Sequence, residues 1–200
     1  TLNVNRVARI LADGSLDPTF AIGSGPNGLV GEVKIQMDGK IIVAGSFDTF
    51  NGVSCNRIVR LNPDGSIDSS FVQGIGFNGN VTALALQVDG KILVGGIFTS
   101  YNGTVANRIV RIDSNGTIDS AFMTGSGFSD DGVTAIKVDV NGAIMIGGSF
   151  SRFYNGTAVN RLVLLSPNGV LAPFFDIGAG PATARVYTLE NAADGSWFVG

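Results

Sequence analysis

A sixteen-residue stretch, NRIVRLNPDGSIDSSF from Asn56 to Phe71, returns as NRIVRIDSNGTIDSAF from Asn107. It also returns in drifted form as NRVARILADGSLDPTF from Asn5 and NRLVLLSPNGVLAPFF from Asn160. The four Asn-Arg pairs lie 51, 51 and 53 residues apart. A period of that length restricts the chain to stacked or circular units, because one such unit cannot bury an apolar face without a neighbour.

Within the second unit, four β-rich runs stand between turn signals: Val81 to Gln87, Lys91 to Phe98, Arg108 to Ile112 and Thr117 to Phe122. Asp89-Gly90 closes the first pair and Asn115-Gly116 the second, dipeptides that tolerate left-handed backbone. The 29 glycines among 200 residues fit the same picture of many tight turns. The pattern predicts a four-stranded antiparallel meander of about 51 residues, repeated about four times. Units of that size arranged radially are the blades of a β-propeller, an all-β fold that leaves only short edges exposed. Residues 1–200 are expected to form a single propeller domain or a fragment of one, with units starting near 5, 56, 107 and 160. Two arrangements are open. Leu2 to Phe20 can supply outer strands to Val186–Gly200 and close a four-bladed ring, or the chain is a segment of a larger propeller. The runs VAGSF, VGGIF and IGGSF have a fourth counterpart that stops at Val199-Gly200, which favours the segment.

The combination of Asn-Arg, Asp-Gly-Ser-hydrophobic-Asp, Phe and Asp-Gly-Lys resembles the delta-60 repeat family of β-propellers, found in bacterial surface or secreted proteins and in phage proteins. The resemblance covers nearly the whole chain. It implies the fold and an extracellular or virion setting, and it carries no catalytic residues. The last unit departs from the pattern with Leu164 for the second Arg, Ala172 for the Asp and Ser196 for the Lys.

Because the repeats form an alignment within one chain, covariation can be read between units. Arg9 occurs with Asp17, Arg60 with Asp68 and Arg111 with Asp119, whereas Leu164 occurs with Ala172, so both charges vanish together. A three-residue hairpin loop, Pro63-Asp64-Gly65, places Arg60 opposite Asp68 and Leu61 opposite Ile67, which predicts a cross-strand ion pair that sets register. The Asn of each Asn-Arg pair falls just before a strand, where its amide can satisfy loop backbone, and the Arg can pair between neighbouring units. The competing role for that Arg is a ring of guanidinium forks clamping carboxylates or phosphates.

Composition narrows the chemistry. With 13 basic and 16 acidic residues the net charge is −3, and the cations recur singly, which argues against a nucleic-acid partner. There is no histidine and Cys55 is the one cysteine, so Ser-His-Asp and Cys-His catalysis and cysteine-built metal sites are absent. GSGPNG and GIGFNG match a dinucleotide fingerprint, but a strand follows where a helix would have to open. Asp113 to Asp119 hints at a calcium loop yet lacks the distal Glu. Asn80, Asn102, Asn115 and Asn155 fit glycosylation sequons, three of them as ordinary Asn-Gly turns. Asp130-Asp131 is the pair that a carbohydrate-active enzyme would need. No metal or cofactor is expected, and no apolar run approaches the roughly 20 residues that span a bilayer.

Strand order gathers the loops between units and those joining second to third strands on one face, where recognition concentrates. They place Phe50-Asn51, Tyr101-Asn102 and Tyr154-Asn155 at equivalent positions. Such aromatic and amide pairs suit a sugar or a protein interface, or they plug the gaps between blades. The expectation is a non-enzymatic binding or structural module of an extracellular or virion assembly, foremost a phage tail or fibre component. Its partners would be protein subunits or a surface glycan, with oligomerisation open. A bacterial adhesin and a propeller-fold carbohydrate-active enzyme are the alternatives.

Overall fold

The computed structural model describes residues 5–178, 180 and 185–200, so parts of Leu2 to Phe20 and of the loop from Gly178 to Arg185 lie outside it. All regular structure among the described residues is strand. In the first unit β1 (Leu29–Ile35) pairs antiparallel with β2 (Ile41–Ser46). A two-residue ribbon of β3 (Thr49–Phe50) and β4 (Val53–Ser54) follows, and β5 (Ile58–Leu61) returns to pair with β2. The second unit repeats this with β6 (Val81–Leu86), β7 (Ile92–Gly96), β8 (Ser100–Tyr101), β9 (Thr104–Val105) and β10 (Ile109–Ile112). The third uses β11 (Val133–Val138), β12 (Ile144–Gly148), β13 (Phe153–Tyr154), β14 (Thr157–Ala158) and β15 (Leu162–Leu165), and β16 (Leu189–Asn191) pairs with β17 (Trp197–Val199).

The fourth predicted strand of each unit is a correction. It contributes one bridging pair only, Leu61 with Ile67, Ile112 with Ile118 and Leu165 with Leu171, so the sheets are three-stranded. The cause is the aspartate that follows. Asp68 Oδ1 accepts from the Ser70 amide at 3.0 Å and the Phe71 amide donates to the Asp68 carbonyl at 3.2 Å, a turn that bends the chain out of the sheet.

The middle strands IIVAGS, ILVGG and IMIGG are almost wholly buried because each is covered on both faces. One apolar cluster joins Ile42 and Ile58 of the first sheet to Leu84 and Val94 of the second. The next joins Leu93 and Ile109 to Ile136 and Ile146, and a third joins Met145 and Leu162 to Val186 and Leu189. Val7, Phe20 and Ile22 pack on the first sheet against Val43 and Val59. The units are thus stacked in series, in a propeller-like arrangement.

A repeated seam fastens neighbouring units at their outer edge. The amides of Ala21, Val72 and Met123 donate to the carbonyls of Asp64, Asn115 and Asn168 in the next hairpin turn, at 2.7, 2.7 and 2.8 Å. The preceding ring lies against the turn glycine: a Cβ on Gly116, whose φ is +93°, would sit 3.0 Å from Phe71. Only glycine meets both the backbone angle and the ring. Nearer the first strands, a bulge at Val81/Ala83 turns the Thr82 hydroxyl toward the Val133 carbonyl, and Thr134 does the same to Val186.

Candidate functional site

The charged residues of the repeated motif converge at the outer edge of the three hairpins that carry them. Arg60 Nε donates to Asp68 Oδ2 at 2.7 Å, and Lys40 Nζ reaches the same oxygen at 2.8 Å. Arg111 and Lys91 repeat this around Asp119, each at 2.7 Å, and Arg9 lies 2.8 Å from Asp17. The guanidinium has further partners. Arg60 donates to Ser70 Oγ at 3.0 Å and to the Ser114 carbonyl of the following unit, and it lies 5.0 Å from the Phe71 ring centroid. Arg9 and Arg111 make the same reach to the carbonyls of Pro63 and Pro167. Each Arg therefore joins its own hairpin to the next. Burial works against the charged form of Asp68 and Asp119, but the lysine, the guanidinium and the turn amide overcome it and hold both carboxyls below 3.8.

The lysine was not paired with this cluster on sequence grounds, although the signal was present. Lys40 and Lys91 correspond to Ala143 in the unit that carries Leu164 and Ala172, because Gln36, Gln87 and Asp139 each donate to the residue at that position. Three charges disappear together there, not two.

The Asn-Arg dipeptide clamps the connection to the next unit. Asn56 Nδ2 donates to the Ile75 carbonyl at 2.7 Å and Asn107 Nδ2 to Ser126 at 2.8 Å. Arg57 Nη1 donates to the Phe77 carbonyl at 3.1 Å and Arg6 to Pro26 at 2.9 Å. The arginines adopt left-handed backbone, with φ of 65°, 74°, 66° and 60° at Arg6, Arg57, Arg108 and Arg161. Strain at one non-glycine position of this kind draws notice as a functional mark. Its recurrence at all four positions, with the connecting-loop carbonyls of Pro26, Phe77 and Phe128 as acceptors for Arg6, Arg57 and Arg108, makes it part of the joint.

The aromatic residues expected to present a ligand face do not do so. Phe50, Tyr101 and Tyr154 are 0, 0 and 1% exposed. Their backbones bridge to Pro26, Phe77 and Phe128 of the connecting loops, and Tyr101 and Tyr154 donate their hydroxyls to the carbonyls of Gly116 and Gly169 at 2.7 and 2.6 Å. Ring centroids of Phe77 and Tyr101 are 4.4 Å apart, and those of Phe128 and Tyr154 4.8 Å apart. With no exposed face these rings fill the space between hairpin and loop, and burial pushes both phenols up. The paired amides are committed too: Asn51 Oδ1 accepts from Gly25 at 2.8 Å, Asn102 Oδ1 from Ile75 at 3.2 Å and Asn155 Oδ1 from Ser126 at 3.3 Å. Asn51 and Gly52, with φ of 51° and 76°, form the tight turn of the ribbon.

These mounts leave Val53, Val105 and Phe153 exposed beside the ribbon turns, at 53, 77 and 46%. The other sequence candidates are bound into turns. Asp130 accepts from the Ser151 amide and hydroxyl, each at 3.1 Å, as Asn27 and Asn78 do for their ribbons. The Asp131 carbonyl accepts from Arg108 Nε at 3.2 Å. Asn115 Oδ1 in the calcium-like loop accepts from Thr117 at 3.0 and 2.8 Å. Among the described residues no group of three or more Asp, Glu or Cys is placed to hold a metal, and no helix is long and apolar enough to cross a membrane.

Serial three-stranded sheets with twice-covered middle strands and a repeated interunit seam define a repeat protein of the propeller type. The profile of DUF5122, described as a beta-propeller domain of unknown function, matches residues 1–20, 36–71, 87–122 and 141–172. The chain belongs to that family. No curated protein matches the sequence. Among solved structures, the extracellular domain of a protein described as a one-component system, BT4673 of B. thetaiotaomicron, aligns at 12% identity with a TM-score of 0.26. The alignment covers 94% of this chain and 35% of that one, so the chain spans about a third of its length.

Proposed function

We propose that the chain is a non-enzymatic binding or structural module, and that recognition belongs to the face carrying the three ribbons. The observation that carries this is the division of labour within each unit. Motif arginines, asparagines and buried aromatics are spent on joints between units, while each ribbon exposes an apolar side chain at a different place, Val53 opposite Phe50, Val105 opposite Ser100 and Phe153 opposite Ala158. Variable apolar tips on an invariant mount are what a recognition surface requires. The setting favoured is an extracellular or virion assembly, with a phage tail or fibre component first, by likeness of the repeated motif to delta-60 propellers. The partner is a protein subunit or a surface glycan. The finer architecture proposed is one propeller domain built of units of about 51 residues.

The test is binding of labelled chain to bacterial surfaces and to a glycan array, with Val53→Asp, Val105→Asp and Phe153→Asp variants. The expected result is binding that the three tip changes weaken while the melting curve stays in place. Binding that ignores all three changes contradicts the reading. Turnover of a polysaccharide that Asp131→Asn abolishes contradicts the non-enzymatic claim.

A further inference from the structure

At the opposite end of the sheets, the turn joining β11 to β12 and the turn joining β16 to β17 enclose a groove of about 540 Å³. Asp139, Val140, Asn141, Asn191, Asp194 and Trp197 line it. The repeat is rewritten at this junction. Where the other units carry the long polar residues Gln36 and Gln87, this turn has Ala192, and where they carry Lys40 and Lys91 the two turns have Ala143 and Ser196. Asn191, paired with Trp197, takes the place of Leu86, paired with Ile92. Trp197 itself replaces Ile41, Ile92 and Ile144, and it lies with one side against the apolar cluster of Met145 and Leu189. Shortened walls, no lysine and an aromatic floor occur together at this one junction among the described units.

The polar groups are held in place. Asp139 Oδ1 accepts from the amides of Asn141 and Ala143, both at 2.8 Å, and Asp194 Oδ1 accepts from the Ser196 amide at 2.9 Å and its hydroxyl at 2.7 Å. Each carboxylate keeps its second oxygen as an acceptor. The amides of Asn141 and Asn191 add donors as well as acceptors. A mixed donor and acceptor set beside an indole face suits the hydroxyls and the apolar C–H face of a sugar ring. An organic cation would use the acceptors and the indole and leave the amide donors idle.

We propose that this groove is a saccharide subsite for neutral hexose units, stacked on Trp197 and hydrogen-bonded by Asp139, Asn141, Asn191 and Asp194. The proposal rests on the binding-module reading and assigns it a ligand class and a second location, on the face away from the ribbons.

The chain has a single tryptophan, so its emission reports on this groove alone. Intact chain is titrated with cellohexaose, laminarihexaose, maltohexaose and N-acetylchitohexaose, and with choline as the cationic probe. The expected result is a shift in emission with at least one hexasaccharide and none with choline. By calorimetry, affinity then falls about tenfold or more for Trp197→Ile, the loss of one good aromatic contact. It falls by a smaller factor for Asp194→Asn. Isoleucine is the residue the other units carry at this place and Asn141 occupies the same turn position as Asp194, so both variants keep the fold, which a melting curve checks. Val88→Asp, an exposed residue in the corresponding turn of the second unit, leaves saccharide affinity unchanged. No response to any hexasaccharide, a response to choline alone, or saccharide binding that survives Trp197→Ile overturns the subsite. Saccharide binding removed by Val105→Asp and spared by Trp197→Ile also overturns it, while upholding the ribbon-face reading.

Discussion

Removing Asp68 tests what holds one unit to the next. Arg60 and Asp68 are both buried, and Arg60 cannot swing to solvent without leaving the Ser114 carbonyl and the Phe71 ring. Asp68→Ala strands that guanidinium, which costs about 3–5 kcal/mol for a buried charge without its partner. Lys40, partly exposed, can turn outward and adds little. The triple variant Lys40→Ala, Arg60→Leu, Asp68→Ala instead reproduces the set already present as Ala143, Leu164 and Ala172. It forfeits the bond to the Ser114 carbonyl, worth about 1.5–3 kcal/mol as a bond from a charged donor, and a cation–π contact of about 0.5–1 kcal/mol. The triple variant is therefore expected to be more stable than the single one, by about 1–2 kcal/mol, although it removes more contacts. Urea unfolding at pH 7, followed by circular dichroism and closed as a mutant cycle with Arg60→Leu and Lys40→Ala, measures this difference. Effects that add within about 0.5 kcal/mol, or a triple variant less stable than Asp68→Ala, would refute the reasoning.

Further outcomes follow from the same contacts. Asp68 and Asp119 titrate below 3.8 in the folded chain, so the stability they contribute is complete above that pH and is lost as pH falls through their folded values. Urea midpoints between pH 6 and pH 2 should fall less steeply for the triple variant than for the parent chain. Gly116→Ala, at φ +93° and against Phe71, should cost about 1–3 kcal/mol. Gly103→Ala, at φ +77° with open space around it, should cost only the backbone strain of about 1–2 kcal/mol, both glycine variants being measured by urea unfolding. Tyr101→Phe removes the hydroxyl from the Gly116 carbonyl and should cost about 1 kcal/mol in urea unfolding, with Phe50 as its precedent in the first unit. Cys55 is buried and its thiol is pushed up to about 12, so a thiol reagent at pH 8 should label it only at the rate the chain opens.

Local signals carried much of the fold. The repeat, the Asp-Gly and Asn-Gly turns and the face-alternation of Arg60 and Asp68 all concern residues within one hairpin, where spacing determines geometry. The fourth strand was misread because Thr117 to Phe122 has strand-like residues on either side of Asp119, whose carboxylate turns the chain after one bridging pair. The placement of Phe50, Tyr101 and Tyr154 depended on connecting loops more than twenty residues away, and nothing in the ribbons themselves distinguishes a buried ring from an exposed one. Lys40 and Lys91 were legible in principle. Their replacement, Ala143, leads into β12, which pairs with the strand that carries Leu164, whereas Ser196 precedes β17 in the next sheet, and assigning it required knowing which strands pair.

The central claim is that the repeated motif builds a seam between stacked units. The amides of Ala21, Val72 and Met123 cross that seam, each bonded to a carbonyl of the next unit. Native-state hydrogen exchange at these three positions tests the claim most directly. Protection comparable to that of the amides in β2, β7 and β12 is predicted, because opening any of the three requires parting two units. Exchange at the rate of free loop amides, with the sheets still protected, would contradict it.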